Sequence, residues 1–230
     1  MNVMLLRVLN AKLQKDELRH FMGSRLRKQD EQAANAVAQS LDCNFYIDTD
    51  NFTRVYDKNR QVVGVDTEFD YAGYHYVCDE KAAIRYANKP LNTYSLELST
   101  LDKRGVEIPG WFVNSKMVNN SYLFIWLNKV DSIIDNCSFT SEDIKEYEVA
   151  LVTKEAIFDY LDSVGMSKYE MQQLCYEIRN GEDVNMGNIH KDGYKLSYSE
   201  HLFEKPINIL VPRTILRDIS ELTKRIDTTQ

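Results

Sequence analysis

Val62-Val-Gly-Val-Asp-Thr-Glu-Phe-Asp-Tyr-Ala-Gly-Tyr-His-Tyr-Val-Cys-Asp-Glu-Lys-Ala82 is the stretch on which the reading of this chain turns. Two runs, Val62–Phe69 and His75–Ala82, are rich in β-branched and aromatic residues. Between them lies Tyr71-Ala-Gly-Tyr74, where Gly73 is free to take a positive φ. The pattern spells a β-hairpin. A turn centred between Ala72 and Gly73 sets Asp66 opposite Asp79, with Cβ atoms about 4.5–5.5 Å apart. Two facing carboxylates repel unless a cation lies between them. Lys81 is two residues beyond Asp79, so the strand's period of two places it on the same face. Asp66, Asp79 and Lys81 then have the geometry of a divalent-metal site with an attendant ammonium. Carboxylate oxygens suit Mg2+, which keeps several waters and takes a substrate phosphate as a further ligand. Glu68 and Asp70 share the face of Asp66, and Asp70, at the turn, ranks below it. The competing reading of the same residues is a solvated hairpin face on which Lys81 only pairs with Asp66.

Working outward, Ala33, Ala34, Val37, Ala38 and Leu41 recur at helical spacing and predict a helix over Asp30–Leu41, with another at 11–28. Phe45–Ile47 and Thr53–Tyr56 read as short strands, and Asp57-Lys-Asn-Arg60 as a turn. Tyr94–Leu101 alternates as a half-buried strand. Tyr122–Leu127 is continuously apolar, the mark of a strand buried on both faces. Glu148–Val152 and Ile207–Val211 read as strands. Lys154–Val164, Ser167–Arg179 and Thr214–Arg225 read as helices, and 181–193 as loop. Lys154–Val164 and Ser167–Arg179 have helix-turn-helix spacing, but the second is too acidic for a recognition helix and reads as packing. Trp111, after Pro109-Gly110, reads as a core anchor. Strands and helices alternate without a Pro-, Gly- or Ser-rich linker, which points to one α/β domain over 1–230 with a mixed sheet.

A hairpin with Asp on one strand and Asp-x-Lys on the next, twelve residues between the acids, resembles the PD-(D/E)XK nuclease superfamily. The resemblance covers roughly residues 25–130. It implies a restriction-endonuclease-like mixed β-sheet flanked by helices, with residues 131–230 as a C-terminal α/β extension packed on it. It also implies that Tyr94–Leu101 and Tyr122–Leu127 are the later strand pair of the core. Asp66 and Asp79 would hold Mg2+ or Mn2+, and Lys81 would place or activate the attacking water. Glu31, at the start of the Asp30–Leu41 helix, stands where the family often carries an upstream acid. The family's proline is missing, since Val65 precedes Asp66. Glu97, in Tyr94-Ser-Leu-Glu-Leu-Ser99, is a rival second acid with Ser99 where a lysine is expected. Asp79-Glu-Lys81 is preferred because it has its lysine and its hairpin partner, leaving Glu97 and Glu68 as supporting acids.

Composition bounds the alternatives. The chain has 230 residues, 43% hydrophobic and 27% charged, with a formal charge of -7. That is enough apolar sequence for a core and too much for disorder. Its longest apolar run, Tyr122–Leu127, is far short of a membrane span. No secretory leader is read in Met1–Asn10, so a cytoplasmic protein is expected; that its cell is bacterial or phage-infected is what the resemblance implies. Asn119-Asn-Ser121 has the glycan sequon, with nothing else to suggest secretion. Cys43, Cys78, Cys137 and Cys175 form no C-x-x-C pair, and zinc-protease, serine-hydrolase, P-loop and dinucleotide motifs are absent. Residues 1–30 carry an excess of four positive charges, whereas 131–183 hold thirteen acids against four bases. An acidic total speaks against tight non-specific DNA binding by the chain as a whole, though a local basic segment can still neutralise phosphates. The function that the resemblance implies is that of a metal-dependent nuclease of bacterial or phage type, acting on DNA before RNA, with a protein partner or homodimer also to be considered. The rival is a non-catalytic acidic binding protein on the same fold, an inhibitor or DNA mimic aimed at a basic partner.

Overall fold

The computed structural model describes residues 30–133 and 138–229; the helix expected at 11–28 lies outside them. Helix α1 spans 30–44. Its Ala33, Ala36, Val37 and Leu41 are buried, the i, i+3, i+4, i+8 stripe of a helix lying on a core. The chain then turns through a 3-10 segment at Tyr46–Asp48, where a strand over Phe45–Ile47 is expected from sequence. Phe45 and Tyr46 are both buried while Ile47 is exposed. A helical turn can bury two successive aromatics under one layer; a half-buried strand would send them to opposite faces.

Strand β1 is Asp50–Arg54. The expected turn at Asp57–Arg60 opens a short helix, α2 (Lys58–Val62), whose N-cap Asp57 accepts from the Asn59 backbone N–H. Gly64, at φ +83°, releases the chain from that helix. Strand β2 (Thr67–Tyr71) therefore starts later than the sequence suggests. Ala72 and Gly73 both have positive φ, as a tight two-residue hairpin requires. Strand β3 (Tyr74–Ala82) returns antiparallel, with Tyr71 opposite Tyr74 and Thr67 opposite Cys78, the register expected from the turn.

The remaining elements are β4 (Thr93–Leu101), β5 (Glu107–Pro109), β6 (Ser121–Val130), β7 (Ile144–Thr153), α3 (Lys154–Ser163), α4 (Lys168–Arg179), α5 (Ile189–Asp192), β8 (Lys195–Tyr198), β9 (Ile207–Pro212), α6 (Arg213–Asp218) and β10 (Leu222–Asp227). They make a mixed α/β architecture with two sheets, ordered β1-β2-β3-β6-β7-β10 and β5-β4-β9-β8. Within the larger sheet only β3 and β6 run parallel. The expected pairing of Tyr94–Leu101 with Tyr122–Leu127 does not occur. Strand β6, apolar on both faces, takes the centre of the large sheet, while β4 joins β9 and β5 in the second sheet. The helix expected over Thr214–Arg225 ends at Asp218, and Leu222–Asp227 is a strand on β7. Leu222 and Ile226 both face the core. Their spacing of four fits a period of 2 as well as 3.6, so the pattern alone could not separate helix from strand. A short helix, α5, and strand β8 also interrupt what reads as loop and connection.

The large sheet separates two cores. On one face α1 packs with Phe69, Tyr76, Cys78, Leu123, Ile125 and Val149. On the other, Tyr122, Phe124 and Trp126 of β6 meet the second sheet and helices α3, α4 and α6. Met171, Cys175 and Ile178 of α4 are buried there, so α4 does pack, as expected. Among the described residues no helix is long and apolar enough to cross a membrane.

Candidate active site

Alternation along β3 sends Tyr76, Cys78 and Ala82 into the α1 core. Val77, Asp79 and Lys81 therefore point to the opposite face, beside Tyr122 and Phe124 of β6, with Asp79 level with Tyr122 and Lys81 level with Phe124. Asp66 precedes β2 by one residue. Its backbone N–H donates to Cys78 O at 2.9 Å, and its carboxylate Oδ2 accepts from the Glu80 backbone N–H at 2.9 Å. The two acids expected to meet across the hairpin are thus neighbours, and Asp79 is close enough to raise the pKa of Asp66.

Asp79 is almost fully buried. One of its carboxylate oxygens, Oδ1, lies 2.7 Å from Lys81 Nζ; the other, Oδ2, is buried without a hydrogen-bond partner. The Lys81 ammonium also sits 4.5 Å from the centre of the Trp111 ring, a cation–π contact that fixes its direction. Trp111 is in turn placed beside Glu97: the Phe112 N–H donates to Glu97 O at 3.2 Å, and the Trp111 backbone N–H is close enough to the Glu97 carboxylate to lower its pKa. A Cβ at Gly110 would meet Glu97 O at 2.3 Å, so this approach needs glycine. Burial pushes the Glu97 pKa up, while that N–H and Lys81 hold it back. Glu97 therefore belongs to the site as the acid that supports Trp111 and, through it, Lys81.

Three other expected residues are placed elsewhere. Glu68 is bonded to Arg60 at 2.5 Å, which holds its carboxyl below the usual range. Asp70 bonds Asn51 and His75, each at 2.6 Å. Glu31 is exposed on α1 and lines a groove with Gln39, Phe139 and Thr140. Helix α1 covers the α1-core face of the sheet, so Glu31 does not join Asp66 and Asp79. A helical position can be read from sequence, but not the sheet face its helix will cover.

Sequence reasoning also passed over the far side of β3. Glu80 lies between Asp79 and Lys81, so it must point at the α1 core. There Arg54 reaches both its oxygens at 3.0 Å and Asp42 at 2.6 Å, and the Tyr46 hydroxyl donates to Glu80 Oε1 at 2.7 Å. An acid on a core face demands such a partner, and that demand was the available signal.

Burial first, and then Asp79, raise the Asp66 pKa from 3.8 to about 7. Between these values the folded protein holds a proton that the unfolded chain has released. Stability in EDTA should then fall as pH rises from about 4 to about 7, at about 1.4 kcal/mol per pH unit, and level off above. Urea unfolding across pH 4.5–8 should show this slope in wild type and not in Asp66→Asn; equal slopes would contradict it.

The same facts test whether a cation suits the site. Two carboxylates crowd one another in a poorly solvated place, one at the cost of a raised pKa, and a buried carboxylate oxygen has no donor. Hard oxygen donors in this arrangement fit Mg2+ or Mn2+. Among the described residues no three His, Cys, Asp or Glu side chains gather as a metal site, but Mg2+ is commonly held by one or two carboxylates with water and substrate phosphate. No family model, curated protein or solved structure matches the chain, so function is argued from these side chains.

Proposed function

We propose that the chain is a metal-dependent nuclease of the PD-(D/E)XK kind, hydrolysing phosphodiester bonds in DNA in preference to RNA, with Mg2+ or Mn2+ as cofactor. The observation that carries this reading is the buried Asp79, joined to Lys81 through Oδ1, with Oδ2 unpartnered and Asp66 beside it. Asp66 and Asp79 would hold the cation. A divalent ion bound there lowers the pKa of water and neutralises charge on the phosphate. Lys81, aimed by Asp79 and Trp111, orients the attacking water and offsets the charge that develops on the phosphoryl oxygens.

A neighbouring cleft of about 750 Å³ supports a nucleic-acid substrate. Lys154 and Lys168 line it and have no ion-pair partner among the described residues. Burial and the nearby Lys168 lower the Lys154 pKa, while Asp79 opposes them, so this ammonium stands within electrostatic reach of the site. Tyr74, largely exposed, offers a ring at the same cleft on which a base can stack. Glu155, Asp159 and Glu221 also line it, so the two lysines set a local positive charge and not an overall one.

The test is cleavage of supercoiled, linear, branched and single-stranded DNA, and of RNA, by the purified protein. Cutting with Mg2+ or Mn2+, lost in EDTA, is expected. No cutting of any form with either ion would remove the nuclease reading and leave the acidic binding protein in its place.

A further inference from the structure

Behind Asp79 three buried polar atoms lack partners: Asp79 Oδ2, Tyr122 Oη and Asn119 Oδ1. Tyr122 is level with Asp79 on the adjacent parallel strand, and both charge and position bring the Asn119 side chain and Asp79 to bear on its phenol. All three residues are buried, Tyr122 completely. Asn119 and Tyr122 are neighbours, yet no hydrogen bond of normal length and angle joins them. The Asn119 orientation is set by its amide nitrogen, which donates to Ser121 O at 3.0 Å. That leaves its oxygen facing inward under Gly64, where an added Cβ would lie 2.9 Å from it. A glycan on this sequon is incompatible with such burial.

Counting donors decides what this place needs. Two of the atoms, the carboxylate and amide oxygens, only accept, and the phenol supplies one donor. One acceptor must remain unsatisfied, at a cost of roughly 1–3 kcal/mol in a buried position. A single water would satisfy all three, accepting from Tyr122 and donating to Asp79 and Asn119. Three polar partners are the usual number for a buried water.

We infer that Asn119 and Tyr122 are positioning residues of the cation site, which hold Asp79 through one ordered water at its closed back. This rests on the cation-binding reading of Asp66 and Asp79. The Asp79 Oδ2 atom has two lone pairs, so bonding the water leaves one for the ion. Outer partners of ligating carboxylates orient them, and their loss commonly weakens metal binding about 10–100-fold.

The test is calorimetric titration of Mn2+ into wild type, Tyr122→Phe, Asn119→Leu and Asp79→Asn at pH 8, with unfolding in EDTA measured alongside. Binding in wild type, lost in Asp79→Asn and about 10–100-fold weaker in Tyr122→Phe, is expected. Tyr122→Phe should lower stability in EDTA by only about 0.5–1.5 kcal/mol, the worth of the one neutral hydrogen bond to water that it removes. A purely structural role would lower that stability and not the Mn2+ affinity. Should Asn119→Leu not fold, Tyr122→Phe alone decides. Wild-type affinity in Tyr122→Phe overturns the inference and leaves the cation site standing. Wild type that binds no Mn2+ removes the cation reading, and this inference with it.

Discussion

Asp79→Asn and Lys81→Met should each lower DNA cleavage by about 10²–10³ or more, while both proteins stay folded. Asp79→Asn keeps the shape of the side chain and removes the negative charge that faces Lys81 and would face the proposed ion. Its effect on stability should have the opposite sign. Asp79 is the second cause, after burial, of the raised Asp66 pKa. With that charge gone, Asp66 ionises more readily and the crowding of two carboxylates is relieved. The EDTA unfolding midpoint of Asp79→Asn at pH 8 should therefore equal or exceed that of wild type. Lys81→Met removes the ammonium that lies 2.7 Å from Asp79 and over Trp111, so it should lose activity without a gain in stability. Single-turnover cleavage with Mn2+ and thermal unfolding separate the two properties. If both variants cut at the wild-type rate, these residues are not the catalytic site. If both simply unfold, Asp79 and Lys81 are structural and the charge argument fails.

The hairpin was legible because its information is local. Gly73, the period of two and a two-residue turn set the register of β2 on β3, and the register brings Asp66, Asp79 and Lys81 together. The buried strand β6 was legible from its unbroken apolar run. What β6 contributes was not. Tyr122 reaches Asp79 only through a parallel pairing about forty residues along the chain, and nothing local sets that register. Trp111 could be read as an anchor, but not as an anchor for Lys81, because its loop belongs to the second sheet. Glu31 shows the converse: a helix and its apolar stripe were readable, yet the face of the sheet that the stripe would choose was not. The end of the chain misled for a simpler reason, since Leu222 and Ile226 satisfy both periods.

Arg54→Met should cost about 3–5 kcal/mol, the largest loss of stability expected from a change outside the apolar core. Arg54 is mostly buried between Asp42 at the end of α1 and Glu80 on β3. Its guanidinium lies 5.7 Å from the Tyr46 ring centre and 5.9 Å from that of Phe52. Removing it leaves two carboxylates facing each other in a poorly solvated place, and the uncompensated charge, more than the lost bonds, sets the cost. The double variant Arg54→Met/Glu80→Gln should therefore be less destabilised than Arg54→Met alone, although it changes one more residue. Urea unfolding of the two proteins measures the difference. A loss below about 1 kcal/mol in Arg54→Met would class the cluster with ordinary surface pairs. The consequence for the site follows from the strand. Glu80 carries its side chain to Arg54 and its backbone N–H to Asp66 Oδ2. A β3 no longer pinned at Glu80 on one face cannot hold Asp66, Asp79 and Lys81 to the same tolerance on the other. Arg54→Met should thus lower cleavage at temperatures where it remains folded, and Glu80→Gln, which keeps an oxygen for Arg54 and Tyr46, should lower it less.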